Sequence, residues 1–196
     1  MPLSAFTFRL PEWVDDFLTR QPAAFPTSED RMRLVIGLSR RNIAHDEMGG
    51  PFGAAVFDGA GRLTAVGVNL VIPANCSVLH AEITALIMAQ QMLGRYDISD
   101  GGTQDFELVS SSEPCAMCFG AIPWSGIRRL VCGARAEDAE AVGFDEGSKP
   151  DDWIKALTDR GIAVIRDVLR FEAASVLNDY AAGGGRIYNP RPPLLP

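Results

Sequence analysis

The chain has 196 residues, enough for one domain with a sizeable core and no disulfide staples. Apolar residues make up 47% and charged residues 22%, which excludes disordered, collagen-like and coiled-coil chains; no apolar run approaches the eighteen or so residues of a membrane span. A net charge of −7, a sequence pI of about 4.8 and no dense Lys/Arg run speak against a nucleic-acid binder, because phosphate binding relies on neutralising cations. Small, neutral substrates suit this balance better. The first residues lack the basic start and apolar run of a signal peptide, so a cytoplasmic location is expected. In that setting Cys76, Cys115, Cys118 and Cys132 point to metal or redox chemistry before disulfides.

Residues 1–26 carry Pro2, Pro11, Pro22 and Pro26 and read as an N-terminal extension with a short helix from Pro11 to Arg20. The main domain is expected over 27–182. It opens on a Thr27-Ser28-Glu29-Asp30 cap, followed by Met32, Val35, Ile36, Ser39 and Ile43 at helical spacing, with Gly49-Gly50-Pro51 as the stop. Ala54–Asp58 and Leu63–Val71 read as strands joined by the turn Asp58-Gly59-Ala60-Gly61. A loop from Pro73 to Leu79 leads into a helix from His80 to Leu93, which Gly94 stops. Phe106–Ser111 reads as a buried strand, Cys115–Trp124 as a helix ended by Pro123, and Arg129–Cys132 as another strand. Asp151–Arg160 is helical with Gly161 as its stop, Ile162–Leu169 is β-rich, and Phe171–Tyr180 is a last helix. A glycine- and proline-rich tail occupies 183–196. This order predicts an α/β fold of three layers, α/β/α, with a mixed central sheet of about five strands.

Two short pieces carry the chemistry: His80-Ala81-Glu82 and Pro114-Cys115-Ala116-Met117-Cys118, each where a loop enters a helix. Cysteines three apart on a helix share a face and can grip one metal ion, and the unpaired first-turn amides favour their thiolates. With His80 they form three protein ligands for zinc and leave a fourth tetrahedral position open, the layout of a catalytic site. Two thiolates cancel the charge of the ion, so a neighbouring carboxylate must manage protons, and Glu82 is placed for that work. Both side chains can reach one pocket only if His80 caps the helix from outside its regular geometry. Two other readings exist: a closed structural site completed by Cys76, which leaves Glu82 idle, and a thiol redox pair at Cys115 and Cys118.

The pattern H-x-E followed by P-C-x-x-C is the signature of zinc-dependent nucleobase deaminases. From about Met32 to Gly147 the chain resembles the cytidine-deaminase-like superfamily, and within it the small bacterial guanine deaminases. Gly49-Gly50-Pro51-Phe52-Gly53-Ala54 is similar to the loop that lines the base pocket, and Asn69 falls where the family keeps an asparagine that hydrogen-bonds the base. Trp124 falls where the guanine enzymes carry a tryptophan, and Gly143-Phe144-Asp145-Glu146 resembles their glycine-phenylalanine-acid-acid stretch, with Glu146 in place of an expected aspartate. The resemblance implies one zinc per chain on His80, Cys115 and Cys118, with Glu82 and Glu146 as catalytic acids. It implies substrate contacts from Asn69, Phe52, the Ala81 amide, Trp124, Asp145 and Tyr188, and a homodimer with a tail that covers the pocket. The implied reaction is guanine to xanthine plus ammonia on a free base. Alternatives are another amino-heterocycle such as cytosine or an aminotriazine, or adenosine in a tRNA. His45 reads as a capping or surface residue, Cys132 as core, and Cys76 as a neighbour of the site.

Overall fold

A computed structural model describes residues 7–44 and 49–189. Five strands form one mixed sheet in the order β2-β1-β3-β4-β5: β1 (Gly53–Asp58), β2 (Leu63–Val68), β3 (Phe106–Ser112), β4 (Arg129–Ala134) and β5 (Ala163–Ile165). β1 pairs antiparallel with β2 and β3, whereas β4 runs parallel to β3 and β5. Every residue of β3 is buried, as expected of a central strand covered on both faces. One face carries a core of Met32, Val35, Leu38, Phe57, Val109, Val131, Val176 and Leu177. The other buries Val56, Ala81, Ala85, Leu108, Leu130, Ile122 and Leu157.

Helices α1 (Trp13–Thr19), α2 (Ser28–Ile43) and α7 (Arg170–Ala182) supply the first layer; α3 (Ala81–Leu93), α4 (Ala116–Ser125) and α6 (Trp153–Thr158) supply the second. The three-layer expectation holds. α2 starts on the expected capping box, in which Thr27 and Asp30 satisfy each other's backbone amides. It ends at Ile43, well before the glycines. His45 lies outside the described residues.

The β-rich run 162–169 contributes only the three residues of β5, and β2 stops at Val68 and not Val71. Pro123 stays inside α4. The helix is short there, and Gly126 at φ +87° with Ser125 Oγ donating to the Ile122 carbonyl finishes it two residues later. A six-residue helix, α5 (Ala136–Ala141), was not expected; its acidic sequence lacks an apolar stripe. The stretch before residue 27 packs onto the domain: Val14 is 1% exposed and Phe25 4%, both within the first core.

Candidate active site

Register alone brings the site together. Gly53 opposes Val68, Ala54 opposes Ser110, and Ser112 pairs with Ala134. The start of β1 and the ends of β2, β3 and β4 therefore lie at one end of the sheet. Phe52, Asn69 and Glu113 adjoin those termini directly, and α5 carries the chain on from β4 to the loop at 144–147. These residues line a cavity of about 380 Å³ with His80, Glu82, Cys115, Phe144, Asp145, Glu146, Tyr188 and Asn189.

His80 and Cys115 are both N-cap residues with extended backbone, and neither side chain caps its own helix. Both are thereby free to face the cavity. Cys115 Sγ lies 3.4 Å from His80 Nδ1, and the ligand atoms of His80, Cys115 and Cys118 all lie within 4.8 Å of one another. This is the one such group among the described residues. Cys76 packs against the first core and is not a member, which leaves the closed four-ligand site without its fourth donor. Cys132 is fully buried in β4, a core residue.

The electrostatics of the group call for a cation. The Cys115 thiol is pulled down to about 4, first by its hydrogen bond with Cys118, while the Cys118 thiol is pushed up by the same contact and by burial. Burial and the Cys115 charge push Glu82 up to about 7. Burial, then Cys115 and Glu82, push Glu146 up to about 8. Burial works against protonation of His80, but its contact with Cys115 and the charges of Glu82 and Glu146 raise it overall. Four acidic groups around one imidazole, two of them soft thiols, suit a zinc ion.

Glu146 is 6% exposed, and its Oε2 is buried without a hydrogen-bond partner, whereas Asp145 is exposed at the cavity's edge and its Oδ1 accepts from the Gly147 amide. Asn69 is fully buried. Its Nδ2 donates to the Tyr188 hydroxyl at 2.8 Å, and its Oδ1 accepts from the Val71 amide at 3.2 Å. Phe52 meets Phe144 edge-on at 5.0 Å, and Phe144 meets Tyr188 at 5.3 Å. Asn189 staples this wall: its Nδ2 donates to the Gly143 carbonyl and its Oδ1 accepts from the Asp145 amide.

Two expected substrate contacts, Trp124 and the Ala81 amide, are not among the residues that line this cavity. Trp124 is 80% exposed and lines a separate surface cavity with Tyr96 and Arg128. It sits in the last turn of α4, six residues and about 9 Å along the axis from Cys118, and only the first turn of α4 faces the site. Ala81 is wholly buried in the second core and lines no part of the cavity. Residues that sequence reasoning missed include Glu113, which accepts from the Ala136 amide and from Arg166, and Asn42, whose Nδ2 donates to the carbonyls of Gly50 and Asn69. The acid directly before Pro114 and Cys115 was the available signal for Glu113; Asn42 had none.

Residues 26–134 match the family described as the cytidine and deoxycytidylate deaminase zinc-binding region. A solved structure of guanine deaminase from Nitrosomonas europaea is 47% identical, covers 91% of this chain and 97% of its own, and superposes with a TM-score of 0.84. A solved complex with 2,6-diaminopurine is 48% identical, with a TM-score of 0.86 over 94% of this chain and 97% of its own. Guanine deaminase of Bacillus subtilis is 41% identical over half of this chain, and the match spans 60% of that relative's length. The chain belongs to the cytidine and deoxycytidylate deaminase zinc-binding family.

Proposed function

We propose that the protein is a zinc-dependent aminohydrolase that converts guanine and water to xanthine and ammonia. The observation that carries this reading is the buried, unpartnered carboxylate oxygen of Glu146, which shares with Glu82 a cavity walled by aromatic rings. Guanine offers two donors on one edge, the ring N1–H and the 2-amino group, and a carboxylate there rewards both; adenine has no such pair. Likeness to a guanine deaminase over nearly its whole length supports the same choice.

His80, Cys115 and Cys118 would hold one zinc per chain, which would supply Lewis acidity to activate the attacking water. Glu82 takes the proton of that water and passes it to the ring nitrogen beside the carbon that bears the amine. Glu146 accepts from the amine edge and relays to the departing amine the proton of the hydroxyl added at the same carbon, so that the carbon becomes a carbonyl as ammonia leaves. With carboxyls held at about 7 and about 8, both acids lie where a group can take and give a proton near neutrality. The Asn69 amide orients the base, and Phe52, Phe144 and Tyr188 exclude water from it. An apolar surface exposed at Met92, Tyr96 and Trp124 supports a homodimer, and the acidic balance supports a free base in the cytoplasm over a tRNA.

The test is ammonia release from guanine, adenine, cytosine and an aminotriazine, beside inosine formation in a tRNA anticodon stem-loop. Guanine is expected to be turned over fastest. A faster rate on the stem-loop or on another base replaces this reading.

A further inference from the structure

Lys149 follows Glu146 by three residues and makes no ion pair among the described residues. Its ammonium turns inward, where Nζ donates to the Pro114 carbonyl at 2.8 Å and lies 5.1 Å from the centroid of the Trp153 ring. Trp153 is 8% exposed and also carries Arg166, whose guanidinium carbon lies 5.9 Å from the same ring and whose Nε donates to Glu113. Both cations thus leave one indole and end on the turn Glu113-Pro114, immediately before Cys115. A second bond runs between the same two segments: the Ala116 amide donates to the Glu146 carbonyl at 2.8 Å.

We propose that Lys149 is a positioning residue that docks the loop bearing Glu146 onto the turn bearing Cys115, with the Trp153 ring as its platform. This rests on the guanine reading only for its kinetic consequence. The physical case stands on the geometry. A half-buried ammonium must recover its lost hydration, and a carbonyl and an aromatic face are the groups given to it. Exchanging water for those partners fixes the loop at Lys149, and the Ala116 bond fixes it again at Glu146. Between them lie Gly147, at φ +69°, and Ser148. With both anchors in place the Glu146 carboxyl is held over the cavity; with Lys149 released, the loop hangs on one backbone bond. Lys149 also supplies positive charge toward Glu146 and so favours its ionised form.

The experiment compares Lys149→Met, which keeps the stem and loses the ammonium, with Lys149→Arg, which keeps both the cation and a donor. Amide hydrogen exchange gives a readout independent of turnover: in Lys149→Met, Ala116 and Gly147 are expected to lose protection by tenfold or more, with the β3 and β4 amides unchanged. Kinetically, kcat on guanine is expected to fall about ten- to a hundredfold, the scale of an ångström's misplacement, at unchanged zinc content. Lys149→Arg is expected to stay within about threefold of the parent. The decisive comparison repeats Lys149→Met in a Glu146→Gln background, where the further loss in kcat is expected to be under about twofold, because the two changes remove one interaction. An equal loss in both backgrounds, or Ala116 protection that does not change, overturns the assignment. An inactive parent with the exchange result intact overturns the guanine reading and leaves the docking role standing.

Discussion

On the proposed mechanism Glu82 has the hardest task of any side chain in the site, because it would have to stay buried and still exchange protons. Glu82→Gln keeps the shape and removes the exchange. We expect that variant to fold and to retain zinc while losing at least about a hundredfold in kcat, the scale of a general acid–base residue. Metal analysis beside steady-state rates checks it, and near-parental turnover would release Glu82 from the mechanism. The same metal analysis separates the sulfurs: Cys118→Ser is expected to lose zinc, and Cys76→Ser, outside the donor group, to keep it. Tyr188 gives a subtler case. Its hydroxyl accepts the Asn69 amide, the donor that a bound base would need. Tyr188→Phe removes that acceptor, so the free enzyme loses a hydrogen bond worth about 1 kcal/mol and the base gains an unoccupied donor. KM for guanine is expected to fall, by up to about fivefold, with a small drop in melting temperature; a raised KM would mean that the hydroxyl serves the bound base directly.

Among the elements, the contact of β2 with α3 sets where His80 and Glu82 stand. Gly67 faces this helix, and a methyl group there would run into the Ala81 carbonyl and the Ala85 amide, both backbone and neither able to yield. Gly67→Ala is therefore expected to cost about 1–3 kcal/mol of stability by denaturant midpoint and to weaken zinc retention, since α3 must tilt away from its strand. Substitution at Gly94, where nothing lies within 4 Å, serves as the contrast: there only the left-handed backbone is strained.

Legibility in the sequence followed the range of the interactions. The hairpin of β1 and β2, the Thr27 capping box and the stops at Gly94 and Gly161 rest on neighbours in the chain, and all were readable. His80 at a cap was readable too, because two residues apart on a helix cannot share a face. By contrast β5 owes its three residues to pairing with Arg129–Val131, and nothing in residues 162–169 says where that pairing ends. α5 is held by Asp138 to Arg135 and Arg170, contacts that no periodicity announces. Where Trp124 lies was not legible either, because its position in the motif is fixed by sequence while its facing is set by how many helical turns separate it from Cys118.

At the scale of the whole molecule, two ion pairs tie the end of β4 and α5 to the start of α7 and the segment just before it. Arg170 bonds both carboxylate oxygens of Asp138, and Arg135 bonds both of Asp167. The hydrogen bond from Arg170 is the chief reason that Asp138 is held below its ordinary 3.8, and Arg135 lowers Asp167 in the same way. A carboxylate held low in the folded state stabilises the fold at pH values above 3.8, and that contribution vanishes as pH falls through its folded value. Both pairs are partly exposed, so solvent and salt screen them and each contributes little. Arg170→Met is expected to melt below the parent at neutral pH and to converge with it only as pH falls below 3.8 and the Asp138 carboxylate is neutralised. A gap that stays constant over that range would mean that Arg170 acts by packing alone.

The site is assembled from segments far apart in the chain, and their order has a consequence for the protein as it is made. The candidate metal donors, from His80 to Cys118, all precede Glu146, and Tyr188 and Asn189 follow Cys118 by about seventy residues. At roughly 5–20 residues per second, a ribosome needs about 4–14 s to add that stretch. For those seconds the sulfurs and the imidazole have been synthesised while the aromatic wall that will shield them has not. Birth order thus gives zinc a head start over the cover of its own pocket.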